Sequence, residues 1–358
     1  MAGSQGKGQR PARLVDVAAL AGVSRATAAR VLGGYSKVGD ARSDKVLAAA
    51  RELAYRANEV ARAMRAGRTQ TIGVVISDIS TSFFGSAMLA IIDAAGQAGY
   101  QTLIASTSEH QEMEVEAVQT LIEKRVDGLI VVPSSPLGNS HLQAVAGAGV
   151  PTVLLDRRVP ELEMVSVTSD DFAASRLAAA HLLERGHRRV ALIAATSAVT
   201  SQGEERPGHV VSTVEDRVEG AFAAFREAGL PLPSEMRLVR YCRSEVAFAR
   251  EAASALLDRA SPPTAVLATN EATGLGVIEA CMERGLAVGG DLSLISFDDS
   301  PWAPVHTPPI TAIRRPVYDM GKAAVGSLVQ ALAGRRPAPT VLANEFVERS
   351  SVVDLRRA

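Results

Sequence analysis

The chain has 358 residues, enough for two or three domains with sizeable cores, and its 47% apolar and 22% charged residues exclude an intrinsically disordered protein. The net charge of −1 hides an asymmetry: residues 1–70 carry 13 Lys+Arg against 5 Asp+Glu, a balance of +8, and the remainder carries −9. A basic head on an acidic body points to a polyanionic partner for the head, although charge alone describes a solvated surface equally well.

Residues 1–13, "MAGSQGKGQRPAR", read as a disordered tail. They are basic and glycine-rich and lack the apolar stretch of a secretory signal. The stretch "DVAALAGVSRATAARVL" then predicts two short helices, about Leu14–Ala21 and Arg25–Leu32, meeting at a sharp corner. Ala18 and Ala21 are small enough for a close helix crossing. Gly22 can take the left-handed conformation that a tight turn requires. Val23 and Ala28, with Val31 or Leu32, would close a small core. Ser24 fits as N-cap of the second helix, its hydroxyl accepting from an N–H near Thr27. Arg25 and Ala26 then open the exposed end of that helix, and Arg30 lies about one and a half turns on. In a helix-turn-helix such positions face base edges, where the arginine fork matches the two acceptors of guanine. An ordinary corner of two helices with surface arginines fits the same residues. A third pattern, "DKVLAAARELAY", places Val46, Leu47, Ala50, Leu53 and Ala54 on one apolar face. A fourth, "NEVARAMRAGR" from Asn58, is poorly apolar and would be a marginal helix alone, as expected of a linker ordered by a partner.

From Thr71 the pattern changes. The runs "TIGVVIS", "QTLIAS", "VDGLIVVP", "VPTVLLD", "RRVALIAA", "TAVLAT" and "LSLISF" alternate with helical stretches. They read as strands buried on both faces of parallel sheets. The alternation is too long for one five-stranded unit, so two doubly wound subdomains are expected, with a ligand cleft at the carboxyl ends of the strands. No apolar run reaches the ~20 residues of a membrane span. Cys242 and Cys281 match neither a disulfide framework nor a metal motif, and a reducing cytoplasm is the expected compartment. No nucleophile elbow, P-loop or zinc-protease motif occurs, so the chain is not read as an enzyme and no catalytic residue, metal or cofactor is assigned. His181 and His187 are six residues apart and share no helical face. Asp170 and Asp171 read as a solvated turn rather than a hard-metal site. The "GLG" of Gly274–Gly276 reads as relief of helix packing rather than part of a dinucleotide fingerprint.

Taken together, "LVDVAALAGVSRATAARVLGG", "ELAYRANEVARAMRAGRTQTIGVV", "DISTSFF", "VDGLIVVP", "VLLDRR", "HLLERGHRRVALI", "TNEATGLG", "LSLISFDD" and "PPITAIRRP" resemble, in this order and spacing, the LacI/GalR family of bacterial transcription regulators. The resemblance implies an α/β fold: an all-α helix-turn-helix head over residues 14–57, a hinge helix over 58–70, and a periplasmic-binding-protein-like effector domain over 71–358. The N-subdomain would take about 71–167 and 315–344, and the C-subdomain about 168–314 and 345–358.

By the same resemblance, Arg25, Ala26 and Arg30 are base-contacting positions, and Ala26 can offer only a methyl group, to thymine. Ser24 and Thr27 are better suited to phosphates. Asn58 and Met64 fall in the hinge helix, with Met64 as the apolar wedge that kinks the duplex. Ala57, where many relatives have Pro, and the acidic Glu59 depart from the pattern. In the body, Arg217 matches the ligand-clamping arginine, Asn270 and Asp298 two further polar contacts, and Asp156 a fourth. Phe83, Phe84 and Tyr241 are candidates to stack on a sugar, with core packing the alternative for each and an equal reading for Phe84; Asp299 is a structural neighbour.

Two departures bear on the ligand. Thr81 and Ser82 stand where relatives often show Asn-Pro, and Arg315 where several have Gln. With Arg157 and Arg217, Arg315 predicts an unusually cationic cleft suited to an acidic sugar or a sugar phosphate. The long stretch before Arg217 reads as a surface loop.

The expected function is a ligand-responsive repressor. It would form a homodimer on near-palindromic operator DNA, with a sugar-like small-molecule effector and no membrane partner. The ending "VVDLRRA" carries no heptads for a tetramer. The alternative is a sugar-binding transport component without DNA function.

Overall fold

A computed structural model describes residues 12–33, 41–55, 68–196 and 210–356. Residues 1–11 of the tail, the hinge positions Ala57, Asn58, Glu59 and Met64, and residues 197–209 of the stretch before Arg217 lie outside the described residues. The chain divides into two units, residues 1–70 and 71–358.

In the first unit, α1 (Leu14–Leu20), α2 (Arg25–Leu32) and α3 (Ala41–Glu52) surround a small core of Val17, Ala18, Ala21, Ala28, Val46, Ala49 and Ala50. The corner between α1 and α2 turns at Gly22, whose φ of +63° is the left-handed conformation that glycine adopts without steric cost. Val23, Val31 and Leu32 pack at the edge of this core. The expected face of α3 is shifted. Leu47 is 42% exposed and Ala49 takes the buried place. The buried face follows Val46, Ala49, Ala50 and Leu53, the i, i+3, i+4, i+7 repeat of a helix, and Leu47 lies to one side of it. The helix also stops at Glu52, and Ala54 turns left-handed, which takes it out of the helical face.

The second unit holds two six-stranded sheets. The first runs, in spatial order, β11 (Thr340–Leu342), β5 (Val165–Ser169), β4 (Thr152–Leu155), β3 (Gly128–Val131), β1 (Thr71–Ile76) and β2 (Gln101–Ser106). The second repeats that order with β12 (Glu345–Val347), β10 (Thr311–Arg314), β9 (Ser293–Phe297), β8 (Ala265–Ala268), β6 (Val190–Ala195) and β7 (Val239–Cys242). The ladders are parallel, with Ile72 opposite both Thr102 and Gly128, except that β12 pairs antiparallel with β10. All seven expected strands are present. β5, β7, β10, β11 and β12 are additional. β2 is not buried on both faces: it is an edge strand, and Leu103 and Ile104 are each 41% exposed.

Helices cover both faces of each sheet, as the apolar strands require. On the first, α4 (Ser82–Gln97) and α11 (Val317–Leu332) bury Phe83, Ile91, Met320 and Leu328, while α5 (Gln111–Glu123) and α6 (Ser140–Gly147) cover the other face. On the second, α7 (Asp171–Glu184) and α8 (Ser212–Glu227) lie opposite α9 (Val246–Leu257) and α10 (Glu271–Glu283). The chain passes between sheets after β5, after β10 and after β11. Because β5 runs to Ser169, the first passage falls after that residue.

Gly276 and Gly220 set helix spacing around the second sheet. A Cβ on Gly276 would lie 2.5 Å from that of Ala249, so the glycine lets α9 and α10 meet, which is the packing role expected of "GLG". A Cβ on Gly220 would overlap the carbonyl group of Phe172, so α8 lies directly against the first turn of α7.

Candidate functional site

The head presents one polar helix end. Ser24 has extended backbone angles and caps α2, its Oγ accepting from the Thr27 N–H at 3.1 Å. The Ser24 and Thr27 hydroxyls are also 2.9 Å apart, which fixes both side chains at the cap. Arg25, Ala26 and Arg30 are exposed on α2, while Ala28 between them is fully buried. The helix thus holds one face in the core and turns its cationic face to solvent.

The body presents a cleft of about 790 Å³ lined from both sheets. Its lining comes from segments just beyond strand carboxyl ends: Asp78 after β1, Ser108 after β2, Asp156 after β4, Arg243 after β7, Asn270 after β8 and Asp298 after β9. That is where open parallel sheets place their ligand sites. Asp156 and Asp298 occupy corresponding places in the two sheets, and both are left-handed, with φ of +68° and +64°.

Arg315, directly after β10, joins them. Its Nη1 donates to Asp156 Oδ1 at 2.6 Å and its Nε to Asp298 Oδ1 at 2.8 Å, and all three side chains are nearly buried. The guanidinium lies 3.6 Å from the ring centroid of Phe83, which meets Phe84 edge-on at 4.9 Å. Burial works against a charge on Arg315, but Asp298 and Asp156 outweigh it and hold the guanidinium above its ordinary range. Arg157 continues the chain of charges. It makes a bidentate pair with Glu109 at 2.7 Å and has Asp156 at 3.7 Å. Burial opposes ionisation of Glu109 too, but Arg157 prevails and holds its carboxyl low.

Arg217 is anchored separately. Its Nε and Nη2 donate to Asp171 Oδ2 at 2.9 and 2.6 Å, its Nη1 donates to the Thr269 carbonyl oxygen at 2.5 Å, and it lies 4.5 Å from the Phe297 ring centroid. The close approach of α8 to α7 at Gly220 brings Arg217 to Asp171. Asp171 is 1% exposed, and Arg217, then Arg315, overcome the burial penalty and hold its carboxyl below the usual range. It is therefore not part of a solvated turn; only Asp170, the N-cap of α7, has that character.

Phe83, Asp156, Arg217, Asn270, Asp298 and Arg315 all line the cleft, as does Phe84. Asn270 caps α10 through Oδ1 and donates from Nδ2 to Ser244 Oγ at 2.7 Å. Tyr241 does not line the cleft; it belongs to the core between the second sheet, α7 and α8. A β-strand residue alternates faces, and the register of β7 points Tyr241 inward with Val239. Asp299 pairs with Arg314 and Arg349, as a structural neighbour should.

The expectation of a cationic cleft is overturned. Arg157, Arg217 and Arg315 are each matched by Glu109, Asp171, Asp156 and Asp298, four carboxylates for three guanidiniums. Their forks are committed to the protein's own carboxylates. Sequence alone marked the arginines, but Glu109 and Asp171 lie 48 and 46 residues from their partners, and no local pattern signals such pairs.

Residues 13–58 match the model described as bacterial regulatory proteins, lacI family, and residues 179–352 the periplasmic binding protein-like domain. The HTH-type transcriptional regulator DegA of Bacillus subtilis is 32% identical over 346 residues, covering 96% of this chain and 98% of that protein. The chain belongs to the lacI family of bacterial regulatory proteins. Family membership extends over its full architecture. GalR of Escherichia coli is 32% identical over 95% of this chain and 96% of its own length. The structure of the lac repressor dimer bound to operator and the anti-inducer ONPF superposes with a TM-score of 0.83 at 27% identity, covering 96% of this chain and all of that one. The chain is thus a transcription regulator with a helix-turn-helix head, and its family is one of regulators rather than enzymes. The head disfavours a transport component. Among the described residues, no helix is long and apolar enough to cross a membrane, and no cluster of potential metal ligands occurs.

Proposed function

We propose that this protein is a homodimeric repressor that reads near-palindromic operator DNA through α2 and releases or tightens its hold when a small effector occupies the cleft. The observation that carries the reading is the capped end of α2, where Arg25 and Arg30 stand exposed on a helix whose other face is locked into the core. In this assignment Arg25, Ala26 and Arg30 address base edges, and Ser24 and Thr27 address phosphates. Two such heads per dimer match a site with two half-sites. Asn58 and Met64 are proposed to complete the DNA contact from the hinge. The protein acts in the cytoplasm, with the chromosome.

The effector is proposed to be a neutral, sugar-like molecule. Phe83 supplies an apolar surface, and Asp156, Arg217, Asn270, Asp298 and Arg315 supply acceptors and donors suited to hydroxyl groups, which both donate and accept. The balanced charges supply no excess of cations for a carboxylate or phosphate. An effector acts only through a difference in affinity between the two arrangements of the subdomains.

The test is a gel shift of the full chain on genomic fragments over a salt series. Binding should weaken steeply as salt rises and respond to one member of a neutral sugar panel. Retention of all fragments alike, with no response to any sugar, would contradict the reading.

A further inference from the structure

The two subdomains are tied at a second place besides Arg315. Ser82 is the first residue of α4, packed on the first sheet, and Glu271 is the first residue of α10, packed on the second. The Ser82 hydroxyl donates to Glu271 Oε2 at 2.7 Å, and the Ser82 N–H points to the same oxygen at 3.4 Å. Ser300 Oγ, just beyond β9, lies 3.4 Å from the Ser82 hydroxyl. Glu271 lines the cleft, as do Thr81 and Phe83 on either side of Ser82. The carboxylate also sits between the N-termini of two long helices, where a negative charge is favoured from both sides. The contact spans 189 residues and bridges two separately packed helices, so it cannot survive a movement of the subdomains apart. Arg158 and Asp216, bidentate at 2.7 Å, tie the halves elsewhere and do not line the cleft.

We propose that Ser82 and Glu271 form a latch that holds the cleft shut through the protein's own atoms and must open to admit the effector. The inference rests on the cleft being the effector site. Ser82 is the residue that makes the latch possible, because a proline at the same place would carry neither the hydroxyl nor the N–H. Proline is otherwise well accommodated there: it is favoured at the first position of a helix, and Thr81 already has the extended conformation, φ −79° and ψ 146°, that a following proline requires. Ser82→Pro therefore removes the latch while sparing α4.

The test measures subdomain separation without effector or DNA. Spin labels are attached at Gln97 on α4 and Ala247 on α9, both exposed, through Q97C and A247C. Labelled chains are diluted with unlabelled ones so that each dimer carries one pair. The buried thiols of Cys242 and Cys281, pushed up to about 12 and about 11 by burial, are poor targets for the label. In Ser82→Pro the ratio of wide to narrow separations should rise on the order of fivefold, as expected for loss of a half-exposed, charge-assisted hydrogen bond. Glu271→Ala should give the same rise, and the two together no more than either alone, because each already breaks the one tie. Ser82→Ala gives the hydroxyl's share and replaces Ser82→Pro if that variant does not fold. Unchanged separations in every variant, or effects that simply add, would overturn the latch. Neither outcome bears on DNA binding, so a failed latch is distinguishable from a failed assignment of function.

Discussion

Replacing Arg315 by Gln removes the cation that two buried aspartates share. Asp156 and Asp298 lie within 2.6 and 2.8 Å of its nitrogens, and their side chains are 5% and 10% exposed. Removing one partner of a buried pair costs about 3–5 kcal/mol, because a charge is left without compensation in a weakly polarisable setting. Gln can still donate to one of the two carboxylates, which places the loss near the lower end, about 3 kcal/mol at neutral pH. For a domain of this size that corresponds to a fall in Tm of roughly 6–10 °C. The single tryptophan, Trp302, is packed in the second sheet's half of the body, so its fluorescence in a urea titration reports unfolding of this unit. Adding Asp298→Asn to the variant should recover part of the loss at neutral pH. A loss below about 1 kcal/mol at pH 7 would refute the view of Arg315 as an internal counter-ion.

Arg25→Ala should lower affinity for the preferred operator by about 1–3 kcal/mol and relax the choice of base at one position per half-site, read by selection from a randomised pool. Gly220→Ala should cost about 1–3 kcal/mol in urea unfolding, because the new methyl group meets the Phe172 carbonyl and forces α8 away from α7. His187 is held below its ordinary 6.5, first by burial and then by Arg185 and Arg188, while its ring nitrogens contact Thr264, Ser293 and the Val353 carbonyl. The unfolded chain therefore binds a proton that the folded one does not. This contribution to stability is complete above pH 6.5 and is lost as pH falls toward the folded value. Wild-type Tm should drop from pH 7 to pH 5, and His187→Gln should flatten that part of the profile.

The head and the seven long strand runs were legible because their signals are local. Ser24, Gly22 and the small residues of α1 and α2 lie within a dozen positions, and α2 has the bounds that its periodicity predicts. Long apolar runs such as "TIGVVIS" likewise mark strands regardless of their neighbours. The short strands were not legible. β11 and β12 have three residues each, too short a run to announce a strand whatever its content. They exist because β5 and β10 offer edges to pair with. The site divides in the same way. Strand ends pointed to Asp156, Asn270 and Asp298, but a cleft's charge is a sum over partners brought in by the fold. Counting arginines without Glu109 and Asp171 gave the cleft an excess of positive charge that the pairing removes. Tyr241 failed for a related reason: which face of a short buried strand looks into a cleft depends on what packs above it. Leu47 shows that a helix with several neighbouring apolar residues leaves the centre of its buried face ambiguous by a position or two.

The central claim is that the capped end of α2 reads a two-fold DNA site and that the cleft governs that grip. The most direct measurement is selection of sites from a randomised duplex pool by the full chain, repeated with each neutral sugar of a panel. The account predicts one enriched near-palindrome whose recovery changes with one sugar and whose base preference shifts in Arg25→Ala. A pool that stays random at low salt, or an enriched site that Arg25→Ala and Arg30→Ala bind as wild type does, would contradict it.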